Sequence, residues 1–405
     1  MKSYPFYVII LLCLAILVVD IAAFYWLQSV TQFISSAAVR HAINIAFWFF
    51  TIALIVSILV LKSRLNHLSP QRKQLLVSSF YGLTVSSFIP KFFFTIVISI
   101  LYFTDYLLAY KVSVIWIAML GLLSGLLPFF VILYAIFRSL YHFKIHHHKI
   151  TLEQLPASFN GLRIVHISDI HLGSFNARFH IFDRAVTLIN QLQPDLILFT
   201  GDLVNNFASE LDGWSKTFKQ LSAKKGKYAV LGNHDYGDYY QWKSPAAKQD
   251  NFDAIKKFHE EIGFRLLMNE AVIIDSDHQQ IAIAGVENWG NPPFKQYGNL
   301  QNAMEKVQEI PCKILLSHDP THWPMEVVQQ TNIALTLSGH THGMQAGINF
   351  RNRKWSPIKY KYQHWAGLYR EGEQYLYVTR GLGWLGFPGR LGMRPEITLI
   401  ELLEK

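Results

Sequence analysis

Four long apolar stretches in the first third of the chain constrain its fold more than any other feature of the sequence. They cover approximately residues 6–27, 42–61, 75–103 and 112–135. Each is long enough to cross a lipid bilayer, which requires about 20 residues of helix. Because lipid cannot satisfy backbone N–H and C=O groups, such segments must form helices that satisfy their own. The sequence therefore predicts an α-helical membrane domain of about four spans.

The distribution of Lys and Arg residues predicts the orientation of these spans. The loops on one side of the membrane carry eight Lys and Arg residues, whereas those on the other side carry two, Arg40 and Lys111. Cytoplasmic loops are enriched in positive charge, so the more basic side is assigned to the cytoplasm. We therefore expect an integral protein of the plasma or inner membrane whose C-terminal domain is cytoplasmic.

Two charged residues lie inside the predicted spans. Asp20 is 14 residues into the first stretch, and Lys91 is 16 residues into the third. At 1.5 Å per residue, both side chains would lie at a depth of roughly 21–24 Å. Because an unpaired charge is costly in lipid, we hypothesise that they form an ion pair. The alternative is that each side chain reaches its nearer interface separately.

The charge composition changes after about residue 149. Residues 1–150 hold eleven basic and two acidic residues, whereas residues 151–405 hold 26 of each. The formal charge of +9 thus lies in the first part, and the neutral second part gives no argument for nucleic-acid binding. We expect a transmembrane domain over residues 1–149 and a second domain over residues 150–405. The histidine run at 146–148 is interpreted as a juxtamembrane polar patch rather than a metal site.

The second part alternates short β-branched runs with polar, helix-like stretches. Candidate strands lie at residues 162–168, 196–200, 228–231, 281–285, 313–317, 334–338, 375–379 and 397–400. Candidate helices lie at residues 179–192, 211–224, 251–262 and 300–309. Strands separated by helices are typical of an α/β domain, and about 250 residues can bury a substantial core.

Polar clusters stand directly after five of these candidate strands. In chain order they are Asp169-Ile170-His171, Gly201-Asp202, Gly232-Asn233-His234-Asp235, Ser317-His318 and Gly339-His340-Thr341-His342. Ligands of open α/β sheets bind beyond the carboxyl ends of the strands. Imidazole and carboxylate groups suit divalent ions, and the glycines would let the backbone turn tightly beside them. The pattern predicts a metal centre.

Each of these clusters has an ordinary interpretation when it is taken alone. Gly-Asp after a strand is usually a turn or a helix cap. A single histidine such as His318 is more often packed in the core or exposed at the surface, and His-x-His alone is a weak indication of metal binding. Their joint occurrence, in order and each at a strand end, is what favours the metal centre.

The ordered series Asp-x-His, Gly-Asp, Gly-Asn-His-Asp, His and Gly-His-x-His resembles the signature of the calcineurin-like metallophosphoesterase family. The motif extends from Asp169 to His342, and the resemblance covers about residues 160–403. The tail, Arg380-Gly381-Leu382-Gly383 followed by Arg394-Pro395-Glu396, is similar to the membrane-associated branch of YkuE-like and YaeI-like phosphoesterases. The resemblance implies an α/β metallophosphoesterase domain in which a β-sandwich is flanked by helices.

The resemblance also implies that seven side chains hold two divalent metal ions, for which Mn, Fe, Zn and Mg are candidates. One ion would be held by Asp169, His171 and His342, the other by Asn233, His318 and His340, and Asp202 would bridge both. His234 would be catalytic and face the substrate phosphate. One departure from the family is Met344, which stands where relatives often have a second glycine.

The implied activity is hydrolysis of a phosphoester or pyrophosphate bond by phosphodiesterase, phosphatase or pyrophosphatase chemistry. Two divalent ions would polarise a bridging water to hydroxide and neutralise the phosphoryl oxygens. His234 would stabilise the developing charge or protonate the leaving oxygen. The membrane anchor favours a phosphorylated, lipid-linked substrate.

Other functional classes stay open on the sequence alone. The chain could be a catalytically weak, metal-stabilised binding or regulatory protein at the membrane. It could also be a transporter or receptor whose soluble part is regulatory. All the ligand positions and His234 are filled, which favours the hydrolase. Near the site, Asp235 is expected to brace its loop, and Arg380 and Arg390 are candidate phosphate contacts.

Overall fold

The structure is a computed structural model that describes residues 5–108, 112–350 and 353–405. These residues fall into two compact units. A helical unit comprises the residues up to Arg138 together with Gly386–Gly389, and an α/β unit comprises Ser139–Leu385 and Arg390–Lys405. Lys2 and Lys111, which enter the orientation argument, lie outside the described residues.

Four apolar helices form the helical unit within the described residues. They are α1 (Phe6–Thr31), α2 (Ala37–Arg64), α3 (Pro70–Leu108) and α4 (Val114–Phe137). Each is long and apolar enough to cross a membrane. The third predicted stretch is a single 39-residue helix that continues through Pro90. The prediction of about four helical spans is therefore confirmed.

A buried ion pair joins three of these helices. Lys91 Nζ on α3 lies 2.7 Å from Asp20 Oδ2 on α1, and the Asp20 side chain is only 1% exposed. The Thr51 hydroxyl on α2 donates a hydrogen bond to the same carboxylate oxygen. Lys91 Nζ also lies 4.6 Å from the centre of the Phe47 ring, a cation–π geometry. The hypothesis that Asp20 and Lys91 pair within the spans is confirmed.

Removing one member of this pair should destabilise the helical unit more than removing both. Asp20→Asn leaves the Lys91 ammonium without its counter-charge, which costs about 3 kcal/mol in the apolar interior. The Asp20→Asn/Lys91→Met double variant removes both charges and should recover part of that loss. Thermal unfolding of the full chain in detergent measures the difference, with the exposed Arg64→Met as a control for simple loss of a cation. Additive effects of the two single changes would contradict a functional pair.

Two six-stranded sheets and a short hairpin make up the strands of the α/β unit in its described residues. The strands are β1 (Lys144–Leu152), β2 (Leu162–Ile167), β3 (Leu196–Phe199), β4 (Gly226–Ala229), β5 (Arg265–Leu266), β6 (Glu270–Ser276), β7 (Gln279–Gly285), β8 (Cys312–Leu316), β9 (Leu335–Ser338), β10 (Ile348–Phe350), β11 (Arg353–Trp355), β12 (Gly367–Glu371), β13 (Gln374–Val378) and β14 (Glu396–Glu404). The helices are α5 (Ile181–Gln191), α6 (Ser215–Phe218), α7 (Pro245–Glu261) and α8 (Leu300–Met304).

The two sheets pack against each other and form a sandwich. One has the strand order β1-β14-β2-β3-β4-β5, and the other has the order β12-β13-β9-β8-β7-β6. Both contribute to one buried apolar layer, for example Ile164 and Leu198 from the first sheet and Ile283 and Leu337 from the second. Helices α5 and α7 pack on the other side of the first sheet. The expected sandwich flanked by helices is therefore confirmed.

The histidine run at 146–148 lies in the middle of strand β1, which pairs in parallel with β14. His147 Nε2 lies 3.3 Å from Glu401 Oε2, whereas the ring of His148 packs 4.9 Å from that of Tyr377. Successive strand side chains point to opposite faces, so the three imidazoles do not converge on one ion. The run is part of an edge strand of the α/β unit, in which the inward-facing His146 and His148 hide the alternating pattern from the sequence; a contact with lipid headgroups stays a prediction. The expected boundary at residue 149 falls inside this strand, and the compact α/β unit begins at Ser139.

A buried polar cluster lies between the sheets near the carboxyl ends of their strands. Glu396 is fully buried, forms an ion pair with Arg380 and accepts a 2.5 Å hydrogen bond from the Tyr377 hydroxyl. These partners hold the pKa of Glu396 at about 2 even though burial opposes its ionisation. His166 Nε2 lies 2.8 Å from Thr200 Oγ1, and burial lowers the pKa of His166 to about 3.

His166 should make the α/β unit sensitive to mild acid. Its pKa falls from 6.5 in the unfolded chain to about 3 in the fold, so the unfolded chain binds the extra proton between these values. The free energy of unfolding is therefore not reduced by His166 above pH 6.5. As the pH falls below that value, protonation of His166 in the unfolded chain lowers it, by about 2 kcal/mol at pH 5. The non-titrating His166→Phe variant should show a shallower loss in thermal unfolding between pH 7 and pH 5. An unchanged slope in that variant would contradict this assignment.

Candidate active site

Five of the predicted ligands follow strands that are neighbours in the sandwich. β2, β3 and β4 are parallel neighbours in one sheet, and β8 and β9 are parallel neighbours in the other. The chain leaves these strands shortly before Asp169, Asp202, Asn233, His318 and His340. Parallel neighbours end at the same edge of a sheet, so the loops of both sheets meet above that edge.

An unbroken series of short contacts runs through all seven predicted metal ligands. It joins Asp169 Oδ1 to His342 Nε2 (3.3 Å), His342 Nε2 to His171 Nε2 (3.0 Å), His171 Nε2 to Asp202 Oδ2 (3.5 Å), Asp202 Oδ2 to His318 Nε2 (3.3 Å), His318 Nε2 to Asn233 Oδ1 (3.1 Å) and Asn233 Oδ1 to His340 Nδ1 (2.9 Å). The structure therefore gathers residues from five loops into one cluster.

The cluster contains two groups of side chains that could each hold an ion. Asp169, His171 and His342 have ligand atoms within 4.8 Å of one another, and so do Asp202, His318 and His340. Asp202 Oδ2 contacts a histidine of each group, which is the position that a carboxylate shared between two ions requires.

The chemistry of the donor set fits divalent cations. Burial lowers the pKa of His171 to about 3 and that of His340 to about 4, so both imidazoles are neutral and keep a lone pair for an ion. Burial opposes the charge of His318 as well, but the neighbouring Asp202 carboxylate raises the pKa of His318 to about 10. A proton on His318 thus supplies the positive charge that a cation would supply beside Asp202.

The ligands themselves adopt strained backbone conformations. Asp169, His171, Asp202, His340 and His342 all have φ between 50° and 70°, in the left-handed region. Each such non-glycine residue costs on the order of 1 kcal/mol. These five backbone conformations therefore lower the stability of the fold while they orient the side chains toward one cluster. Strained residues of this kind are concentrated at functional sites.

Two of the three glycines that precede predicted ligands act differently from what the sequence suggested, whereas Gly201 has a positive φ of 90°, as a tight turn favours. A Cβ atom on Gly339 would lie 2.1 Å from Ser168 Oγ, and one on Gly232 would lie 2.2 Å from Asp202 Oδ1. Neither residue has a positive φ in the structure. These two glycines are therefore needed for close approach of the loops, not for a tight turn.

His234 lies beside the cluster and is held by two hydrogen bonds. Its Nδ1 lies 2.7 Å from the Asn205 carbonyl oxygen, which assigns the proton to Nδ1, and its backbone N–H donates to Asp202 Oδ1 at 2.9 Å. Its ring packs edge to face against His171 with 5.0 Å between the ring centres. The side chain is thus oriented at the site with Nε2 as its remaining nitrogen.

Asp235 braces the loops that carry the ligands, as expected. Its Oδ2 accepts hydrogen bonds from the backbone N–H groups of Asp202 and Gly232, and its Oδ1 accepts from those of Leu203 and Val204. One buried carboxylate therefore connects the loop after β3 to the loop after β4.

Sequence reasoning missed several residues that support the site. The Tyr362 hydroxyl lies 2.8 Å from His340 Nε2, and Asp319 Oδ2 lies 3.4 Å from the same nitrogen. Glu210 accepts backbone hydrogen bonds from Asn205, Asn206 and Phe207, and so shapes the loop that holds His234. Of these residues, only Asp319 offered a signal in the sequence, because it directly follows the predicted ligand His318.

The two candidate phosphate contacts are structural instead. Arg380 is paired with Glu396 in the buried polar cluster. Arg390 is fully buried and donates hydrogen bonds to the carbonyl oxygens of Arg380, Gly383 and Met393. Both guanidinium groups are therefore buried and bound to groups of the protein, and the expectation that they contact phosphate is wrong.

The Asp235→Asn substitution should loosen the site. The amide presents N–H donors where the carboxylate accepts backbone N–H groups, which leaves buried donors unpaired and costs about 2 kcal/mol. We expect a lower Tm and a lower metal content by elemental analysis. The exposed Asp212→Asn is the matched control and should change neither; a fully loaded, equally stable Asp235→Asn variant would show that the brace is dispensable.

The fold and the site define an α/β domain with a cluster of Asp, Asn and His side chains at its strand ends, carried by a chain with four apolar helices. Residues 162–344 match the family model described as "Calcineurin-like phosphoesterase". Residues 5–140 match the model described as "Probable Calcineurin-like phosphoesterase, transmembrane domain". The chain belongs to the calcineurin-like phosphoesterase family.

Similar proteins include both bacterial and vertebrate relatives. The chain is 31% identical to "Uncharacterized metallophosphoesterase YkuE" of Bacillus subtilis over 63% of this chain and 84% of the relative. It is 29% identical to "Phosphodiesterase YaeI" of Escherichia coli over 60% and 82%, respectively. It is 32% identical to a "Transmembrane protein with metallophosphoesterase domain" of Danio rerio over 63% of this chain, but it spans only 56% of that relative's length.

Proposed function

We propose that this chain is a membrane-anchored, metal-dependent hydrolase of phosphoester or pyrophosphate bonds. The observation that carries the proposal is the unbroken series of contacts through seven ligand side chains from five loops. Family membership supports the reaction class, and the name of the Escherichia coli relative supports a phosphodiester. The helical unit would be the anchor and the α/β unit the catalytic part.

We assign the ligands to two divalent ions. Asp169, His171 and His342 would hold one ion, Asn233, His318 and His340 would hold the other, and Asp202 would contact both. When bound, the ions supply positive charge that activates water and neutralises the phosphoryl oxygens. Two carboxylates balance only part of that charge, so the site favours an anionic substrate. Mn, Fe, Zn and Mg are all compatible with this mixture of nitrogen and oxygen ligands.

His234 is the residue that we assign to proton transfer. His234 Nδ1–H donates a hydrogen bond to the Asn205 carbonyl oxygen, which leaves Nε2 to face the substrate. In its doubly protonated form, His234 would donate a hydrogen bond from Nε2 to a phosphoryl oxygen or transfer that second proton to the leaving oxygen, which would return the ring to the neutral Nδ1–H form. A positioned acid of this kind typically contributes about 10²–10⁴-fold to the rate.

A cavity of about 120 Å³ beside Asn233 offers room for part of a substrate. Tyr239, Phe294 and Tyr297 contribute aromatic side chains to its lining, and Lys295 contributes an ammonium group. The Asp238 carboxylate lines the same cavity and pairs with Lys295 at 2.9 Å, so positive and negative charge are balanced within this lining. Because the chain is anchored in a membrane, we propose a lipid-linked substrate, and we place the α/β unit on the cytoplasmic side because the flanking loops are basic.

Two single substitutions separate metal binding from catalysis. Asp202→Ala removes the carboxylate that touches both ligand groups, so it should abolish metal loading and hydrolysis together. His234→Ala should retain the metal content and lose about 10²–10⁴-fold in kcat. The exposed His180→Ala in the same unit is the control and should match the wild type. Purified protein loaded with each candidate metal would be assayed on a diester, a monoester, a nucleotide-diphosphate lipid and a phospholipid.

The outcomes distinguish the hydrolase from a binding protein. Turnover of one substrate class that depends on Asp202 and His234 supports the proposal. Full metal loading without hydrolysis of any class would favour the metal-stabilised regulatory protein instead, and full activity of His234→Ala would refute the role of that residue.

A further inference from the structure

An exposed apolar surface lies beside the metal ligands in the α/β unit. Its members are Met344 (53% exposed), Ile348 (58%), Trp355 (42%), Tyr360 (78%) and Leu391 (37%). We call this set the apolar hairpin face, because Ile348 and Trp355 lie opposite each other on strands β10 and β11. Exposed apolar side chains that are grouped in one part of a fold often mark a site of interaction.

Backbone contacts hold this face together and tie it to the site. The Gly347 N–H donates to the Leu391 carbonyl oxygen at 2.9 Å, and the Leu391 N–H donates to the Gln345 carbonyl oxygen at 2.7 Å. The Ser356 hydroxyl donates to the Gly343 carbonyl oxygen at 2.9 Å, directly after the metal ligand His342. The described residues of the face are therefore connected by hydrogen bonds to the loop that contains His342.

Met344 has an unfavourable backbone conformation and an exposed side chain. Its φ is +56°, a conformation that favours glycine, and its apolar side chain is more than half exposed. The residue therefore accepts backbone strain without gaining burial. A glycine would satisfy this backbone better, and the methionine side chain adds exposed apolar area to the face.

The positive charge around the apolar hairpin face favours an anionic partner. Residues 344–363 contain five Lys and Arg residues and no Asp or Glu. Among them, Lys359 and Lys361 are exposed and flank Tyr360. Aromatic and aliphatic side chains beside exposed lysines are typical of proteins that dock on anionic lipid. A second copy of the same basic face would be repelled, which disfavours self-association through it.

We propose that the apolar hairpin face docks on the surface of an anionic lipid bilayer. Trp and Tyr are preferred where hydrocarbon meets headgroups, and Met344, Ile348 and Leu391 would enter the acyl boundary. The chain is already tethered to a bilayer, because α4 ends at Phe137 and the α/β unit begins at Ser139. Docking would bring the loop of His342 to the lipid surface, and it does not depend on hydrolysis.

The proposal is tested on the full chain in lipid nanodiscs that hold one copy each. An environment-sensitive fluorophore is attached to Ile348→Cys, and a matched fluorophore is attached to Phe179→Cys, an exposed aromatic of the same unit outside the face. Both native cysteines, Cys13 and Cys312, are buried, so the unmodified chain is the labelling blank. Quenching by spin labels on the acyl chains of phosphatidylglycerol-containing discs reports contact with lipid.

We expect strong quenching at position 348 and little at position 179. The Lys359→Gln/Lys361→Gln variant should lose most of the quenching, because each lysine near anionic lipid strengthens binding about fivefold. Met344→Gly should reduce the quenching while leaving Tm unchanged or higher. Absent quenching at 348, or equal quenching at both positions, would overturn the proposal. Fluorophore self-quenching that appears only in discs with two copies would also overturn it, because it would make a second chain the partner.

Discussion

The carboxylate of Asp202 is the contact on which the arrangement of the site depends. Its Oδ2 touches His171 and His318, which belong to different ligand groups, and its Oδ1 holds the backbone of His234. Its own backbone N–H is fixed by Asp235. Two sheets that share an apolar layer thus bring their loops to one carboxylate, and a single residue connects the fold, both candidate ion sites and the proposed proton donor.

Folding must offset the cost of this arrangement. Five ligands have left-handed backbones, and several histidines are buried without charge. The sandwich supplies the compensation through its apolar layer and through braces such as Asp235, which satisfies several backbone N–H groups at once. The helical unit meets a similar problem differently, because there the pairing of Asp20 with Lys91 makes two costly charges tolerable in an apolar setting.

The sequence was sufficient to predict the spans and the α/β class, and the family resemblance named the seven side chains that the structure brings into contact. Those features are local: apolar length defines a span, and each ligand directly follows a short β-branched run. The pairing of Asp20 with Lys91 was also accessible, because helical rise converts sequence distance into depth. Strand β1 could not be predicted, because its inward-facing histidines have the composition of a polar surface segment. The roles of Tyr362, Glu210 and Arg390 were equally hidden, because they depend on contacts between loops distant in sequence.

The most direct test of the dinuclear centre is anomalous diffraction from crystals of the full chain loaded with Mn²⁺. The account predicts two anomalous peaks, one beside Asp169, His171 and His342 and the other beside Asn233, His318 and His340. Asp202 should lie within coordination distance of both peaks, at about 2.0–2.3 Å. A single peak, or peaks that lie away from Asp202, would contradict the account.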